Sequence, residues 1–244
     1  MRRFYINPEN IDETRAILTG SEAHHLRVVL RLGAGEKIEL FDGTGAVYQA
    51  VVRDVGKKEV LLQTISKQMA EERGSSVHFA QALLKGKKMD FLIQKATELG
   101  IEAIHPFTSL HCAAQPSYDK NKRWEKISLE ACKQCGRPKP LTCYPVCDLS
   151  QVLKKGKSHD TKLIFWEKEK AALDRVLQTP VQSIFMLIGP EGGFSDSEVE
   201  SALRRNFQPV SLGKRILRAE TAAFCAMSIV QYLLGNFTHG EKSI

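Results

Sequence analysis

Three segments carry residue types at spacings that suit chemistry. The first is Leu187-Ile188-Gly189-Pro190-Glu191-Gly192-Gly193-Phe194. Three glycines and a proline directly follow an apolar run, and Ser195 with Glu198 then makes a capping box for the next helix. Glycines there permit positive φ and let a ligand touch the backbone, although a plain tight turn needs the same residues. The spacing is neither Gly-x-x-x-x-Gly-Lys-Ser/Thr nor Gly-x-Gly-x-x-Gly, so generic nucleotide hydrolysis and nicotinamide chemistry lose support. The second segment runs from Ser211 to Ala222. Ile216 and Leu217 are apolar where a loop is normally polar, which suits a wall for a flat ring. Arg218, Glu220 and Thr221 gather at the start of the last helix, where Glu220 and Thr221 are also ordinary capping chemistry. The third segment is Glu130 to Pro138. A helix ending at Gly136 leaves Arg137 on a Pro-flanked segment, where a guanidinium can grip phosphate or stabilise negative charge, or serve only as surface charge.

The elements around these segments fall into two patterns. Residues 1–70 read mostly as β. Glu36–Phe41 alternates polar and apolar residues, Asp42-Gly43-Thr44-Gly45 is a turn, and Ala46–Val52 resumes the strand. Val60–Ile65 is another strand. Ser21–Leu30 reads as a helix capped by Ser21, with Leu26, Val29 and Leu30 on one apolar face. Short strands with one helix imply a small barrel-like module. Lys67–Ser76 is polar, contains Glu71-Glu72-Arg73-Gly74-Ser75-Ser76, and reads as a linker.

Beyond the linker, strands alternate with helices. The strands are Val77–Leu83, Ile101–Phe107, Lys162–Trp166, Ile184–Ile188 and Gln208–Leu212. The helices are Met89–Leu99, Trp124–Cys135, Asp196–Arg205 and Thr221–Leu234. This alternation implies a mostly parallel sheet covered by helices, with ligands bound at the carboxyl ends of the strands.

Composition bounds the rest. The 244 residues, 43% of them hydrophobic, suffice for one large or two modest domains and exclude global disorder. Thirty-five Lys and Arg against 28 Asp and Glu give a net charge of +7, compatible with an anionic partner. The cations cluster at Lys85–Lys88, Lys120–Arg123, Lys154–Lys157 and Arg215 with Arg218, which favours nucleic acid as a substrate class. The longest nearly apolar stretch, Thr221–Leu234, is shorter than the roughly 20 residues of a membrane span and reads as a buried helix. No apolar run follows the basic N-terminus, so a secretory signal is not expected, and six cysteines without one suggest a reduced, cytoplasmic chain. Cys132-x-x-Cys135 and Cys143-x-x-x-Cys147 have the ligand types for zinc, but the first pair lies in a helical pattern where cysteines pack as small hydrophobes. No metal is expected.

Taken in order and spacing, these segments resemble the RsmE family of SPOUT methyltransferases, which methylate N3 of uridine 1498 in 16S ribosomal RNA. Arg2-Arg3-Phe4-Tyr5 and His25–Arg31 resemble the family's PUA-like RNA-binding domain. Lys88–Asp90 through Ala96–Gly100 resemble its first methyltransferase helix, and Glu130–Arg137 its Glu-Ala-x-x-Gln-x-x-Arg element. Ile188–Phe194 and Leu212–Ala222 form the most specific pair.

The resemblance implies an α/β chain with an N-terminal small β-barrel (PUA-like, residues 1–70). A C-terminal SPOUT domain (residues 74–244) follows, with a parallel sheet and a C-terminal trefoil knot. It implies S-adenosyl-L-methionine as cofactor, the small ribosomal subunit as partner, and a homodimer. Leu187, Gly189, Gly192, Leu212, Gly213, Ile216, Leu217 and Ala222 would line the cofactor pocket. Arg2, Arg3, Arg27, Arg31, Lys85 and Lys88 would contact RNA. Arg137 is the first candidate to stabilise charge on the reacting base and Arg218 the second. Glu220 is a candidate base, with cofactor-orienting and capping roles as alternatives. A non-catalytic RNA-binding factor, or a SPOUT enzyme with another target nucleotide, are the competing readings. Two positions depart from the family: His111 stands where Arg is usual, and Ala219 where Thr is common.

Overall fold

A computed structural model describes residues 2–70, 74–114, 120–177 and 180–237. The chain forms two compact units, Met1–Glu72 with Leu129–Pro140, and Arg73–Ser128 with Leu141–Ile244. The Leu129–Pro140 segment, which contains Arg137, therefore belongs with the N-terminal unit.

In the first unit β1 (Arg2–Tyr5), β2 (Arg15–Thr19), β3 (Lys37–Phe41), β4 (Ala46–Val55) and β5 (Glu59–Met69) form a sheet in the order β1-β3-β4-β5-β2. Only β1–β3 is parallel. Register shifts at Gln49/Ala50 and Val52/Asp54 break the β4–β5 ladder; irregularities of this kind bend and twist a strand. Period-two alternation puts Ile38, Leu40, Ala50 and Val52 on the buried face with Phe4, Leu18 and Leu26. Helix α1 (Gly20–His24) continues as a π-helical turn, His25–Val29. It starts before Ser21, so Ser21 is not the cap; Thr19 takes that position without a side-chain hydrogen bond. The wider π turn also breaks the predicted apolar face: Leu26 is buried while Val29 is 63% exposed.

In the second unit the elements are β6 (Ser76–Ala82), α2 (Lys88–Glu98), β7 (Ala103–Thr108), α3 (Lys120–Cys135), β8 (Thr142–Cys143), β9 (Cys147–Asp148) and α4 (Leu149–Lys155). They continue with β10 (Thr161–Phe165), α5 (Leu173–Val176), β11 (Ser183–Ile188), α6 (Asp196–Leu203), β12 (Gln208–Val210) and α7 (Ala219–Leu233). The sheet is parallel, in the order β12-β10-β11-β6-β7-β8, with β9 also paired to β7. Both faces are covered, which explains why its strands read as continuous apolar runs. Val77, Phe79, Ile104 and Met186 pack on one side with Leu92 and Ile93 of α2, Trp124 of α3 and Ala226 and Val230 of α7. Ala80, Phe107, Phe185 and Leu187 pack on the other with Val152 of α4 and Val199 of α6.

Several boundaries differ from the sequence reading. β5 runs to Met69, which shortens the predicted linker, and Glu71–Arg73 lie outside the described residues. β12 stops at Val210 rather than Leu212, and α7 starts at Ala219 rather than Thr221, so Glu220 sits in its first turn. The predicted capping box at Ser195 and Glu198 is present. No helix among the described residues is long and apolar enough to cross a membrane.

Candidate active site

β10, β11 and β12 are neighbouring parallel strands, so the loops that follow them leave the sheet at the same end. Together these loops bound a cavity of about 310 Å³. That is at the lower end of the roughly 300–1,000 Å³ of small-molecule sites. Phe165, Trp166 and Glu167 come from β10 and its loop, Ile188 to Phe194 from β11, and Val210 to Gly213 with Arg215 to Leu217 from β12. Ala219 and Ala222 of α7 complete the wall.

Each loop is held for an identifiable reason. Gly193 adopts φ +71° and donates its N–H to the Pro190 carbonyl at 3.0 Å, closing a turn. Only glycine takes that φ without strain. The Gly189 carbonyl accepts the buried Gln81 amide at 3.0 Å, and the same amide group reaches the Ala82 carbonyl at 3.0 Å. After β12, Gly213 adopts φ +104°, and Ser211 Oγ accepts its N–H at 3.1 Å. On the opposite flank of the glycine loop, His111 Nδ1 lies 3.3 Å from the Gly193 carbonyl. Leu110 donates its N–H to Glu198 Oε1 at 2.8 Å.

Charges border the cavity as well. Lys88 Nζ lies 3.3 Å from Glu191 Oε1 and 3.2 Å from Glu220 Oε2. The hydrogen bond to Glu220 leads in holding the Lys88 ammonium above its ordinary pKa. Burial pushes the Glu191 carboxyl up, but its own N–H, the Lys85 N–H and Lys88 outweigh this and hold it below the usual value.

Of the expected pocket residues, Gly189, Gly192, Leu212, Gly213, Ile216, Leu217 and Ala222 all line the cavity. Leu187 is fully buried in the core beneath the sheet and is not among the lining residues. Arg218 is the exposed N-cap residue of α7, and Glu220 follows in the first turn. Arg137 follows Gly136, whose φ of +83° ends α3, and belongs to the first unit. The expected RNA contacts are unequal. Arg2 and Arg31 are exposed, and Arg2 Nη1 reaches the Leu30 carbonyl at 3.2 Å. Arg3 is 9% exposed, lies over the Phe41 ring and pairs with Glu39 at 3.3 Å. Arg27 bonds the Lys57 carbonyl. Lys85 is exposed, and Lys88 carries the two carboxylates described above.

The sequence reading missed Gln81, Trp166 and Glu191. The signal for Gln81 was a lone amide inside the apolar run Val77–Leu83. Three of the four cysteines weighed as zinc ligands meet separate carbonyls: Cys132 that of Lys139, Cys143 that of Leu141 and Cys147 that of Pro106. Burial, with a contribution from Glu125, pushes the Cys143 thiol up to about 12, so it is not a ready thiolate. Among the described residues no cluster of three or more His, Cys, Asp or Glu is placed to hold a metal ion.

Comparison with known proteins gives this arrangement a class. Residues 71–231 match the RNA methyltransferase domain and residues 18–65 the RNA methyltransferase PUA domain. The chain is therefore an RNA methyltransferase built from a PUA unit and a SPOUT-type α/β unit. It is 33% identical to ribosomal RNA small subunit methyltransferase E of Buchnera aphidicola, over 96% of this chain and 94% of that one. It is 36% identical to the Synechocystis protein of the same name, over 95% and 78%. A crystal structure of ribosomal RNA small subunit methyltransferase E from Neisseria gonorrhoeae, bound to S-adenosyl methionine, superposes with a TM-score of 0.89. That protein is 34% identical, and the match covers 98% of this chain and 100% of that one. The chain belongs to the ribosomal RNA small subunit methyltransferase E family, the RsmE family.

Proposed function

We propose that this chain transfers a methyl group from S-adenosyl-L-methionine to N3 of uridine 1498 in 16S ribosomal RNA. The observation that carries the reading is the cavity at the carboxyl ends of β10, β11 and β12. The cavity suits this cofactor on its own chemistry. Phe165, Trp166 and Leu217 offer walls for a flat ring, and glycine backbone at 189, 192 and 213 permits close approach. Trp166 lines the cavity, and its indole N–H is buried without a partner in the protein. Glu167 and Glu191 add negative charge for a cationic ligand. Bound there, the cofactor supplies a methyl group already activated on a sulfonium, so the protein's task is mostly placement.

The uracil N3–H is a weakly acidic imide hidden in base pairing. It must be exposed and deprotonated before N3 attacks the methyl carbon. Deprotonation spreads negative charge over the two carbonyl oxygens. Arg137 is the first candidate to stabilise it, and Arg218 the second. Glu220 is the candidate to accept the proton or to orient the cofactor. The N-terminal domain, residues 1–70, holds ribosomal RNA through Arg2, Arg3, Arg27 and Arg31. Residues 74–244 carry the transfer, with the C-terminal chain forming a trefoil knot. The enzyme works as a cytoplasmic homodimer without a metal. Labelled S-adenosylmethionine mixed with unmodified small subunits should leave label in the RNA; cofactor binding without any transfer would overturn the proposal.

A further inference from the structure

We infer that Lys88 is a positioning residue of the cofactor pocket and not a contact to RNA phosphate. This rests on the proposed binding of S-adenosylmethionine in the cavity. Lys88 stands at the start of α2. Its ammonium lies 3.3 Å from Glu191, which lines the cavity in the glycine-rich loop, and 3.2 Å from Glu220 in the first turn of α7. One cation thus ties three elements that sequence separates widely. The backbone reinforces the tie: Lys85 donates its N–H to Glu191 Oε1 at 3.2 Å.

Two carboxylates within hydrogen-bond distance already neutralise this ammonium. At Lys88 itself a phosphate would have to displace Glu191 and Glu220, which already share the ammonium. Lys85 and Lys87 in the same basic run are exposed and free of this arrangement with Glu220. The run is therefore divided in role. Without the Lys88 ammonium, Glu191 and Glu220 lose their shared counter-ion. The glycine-rich loop and the α7 N-terminus then lose their common anchor, and the cavity wall loosens on both sides.

The test compares wild type, Lys88→Met and Lys88→Arg, with Glu191→Gln and the Lys88→Met/Glu191→Gln double variant. S-adenosylmethionine affinity is measured by titration calorimetry. RNA affinity is measured on unmodified small subunits over a range of salt concentrations, and thermal midpoints verify folding. Lys88→Met should weaken the cofactor about two- to fivefold, the range for a partly exposed ion pair. Lys88→Arg should restore most of that loss. The double variant should be little worse than either single one, because the pair acts as a unit. The slope of RNA affinity with salt should not change. A slope reduced by about 0.7–0.9, the signature of one lost phosphate contact, overturns the inference whatever happens to the cofactor. Unchanged cofactor affinity in folded Lys88→Met overturns it too. If wild type itself binds no S-adenosylmethionine, the functional proposal fails first and takes this inference with it.

Discussion

The glycine-rich loop has almost no room at Gly192, and the Gly192→Ala variant measures how much. A β-carbon there would lie 2.8 Å from His111 Cβ and 3.3 Å from the His111 carbonyl oxygen. Neither atom is the free end of a flexible side chain, so one loop must move. Overpacking of this kind costs about 1–3 kcal/mol. Gly192 lines the cavity, and its neighbour Gly193 is the residue that His111 Nδ1 meets. A shift of the glycine loop therefore moves the cavity wall. If binding must repay the full strain, S-adenosylmethionine affinity falls about 5- to 150-fold. Titration calorimetry reads this loss directly. The paired experiment adds His111→Gly, which removes the closer of the two contacts. The double variant should recover much of the affinity lost in Gly192→Ala, even though the Nδ1 contact to Gly193 is gone. Wild-type affinity in Gly192→Ala, or no recovery in a folded double variant, would show that His111 does not limit the space at Gly192.

Other consequences follow from the same structure. Ser128 Oγ accepts the Leu141 N–H at 2.7 Å in the core, so Ser128→Ala should cost about 1–3 kcal/mol. A thermal scan should show a drop of several degrees, given about 2–4 °C per kcal/mol at this size. His105 is buried, and desolvation with the charges of His78, Lys155 and His159 pushes its pKa down to about 3. Its folded pKa is thus below its unfolded value of roughly 6.5, so only the unfolded chain takes up this proton between those limits. Stability from this site is full above about pH 6.5 and falls toward pH 3 by up to about 1.4 kcal/mol per unit; urea midpoints should show a shallower acid loss in His105→Gln. Arg137→Ala should lower the methyl-transfer rate about 10²- to 10³-fold, the range for a lost charge-stabilising donor, while cofactor affinity stays near wild type. A collapse of cofactor binding alone in that variant would remove Arg137 from the charge-stabilising role.

The sequence revealed the parallel sheet because its strands are apolar on both faces, as in Ile184–Ile188, and because amphipathic helical segments separate them. The Ser195–Glu198 capping box is local chemistry and appeared as expected. Strand β2 was not anticipated: Arg15–Thr19 is short, and its pairing with β5 reaches across forty or more residues. The π turn at His25–Val29 was equally hidden, since its apolar spacing resembles an ordinary helix. Within the candidate site, Ile216 and Leu217 were legible because loops are normally polar, and the glycines because three of them with a proline directly follow a buried strand. The pairing of Lys88 with Glu191 and Glu220 was not legible, because only the fold brings these distant residues together. Gln81 and the orphaned indole of Trp166 acquire meaning only from burial, which no local pattern encodes.

Mapping the product tests the central claim most directly. Unmodified small subunits would be methylated by the purified enzyme with S-adenosylmethionine, and the 16S RNA digested for nucleoside and fragment analysis by mass spectrometry. The account predicts one new nucleoside, 3-methyluridine, confined to position 1498. A methyl group on another nucleoside or on a ribose hydroxyl would contradict the assigned chemistry, and 3-methyluridine at another position would contradict the assigned target.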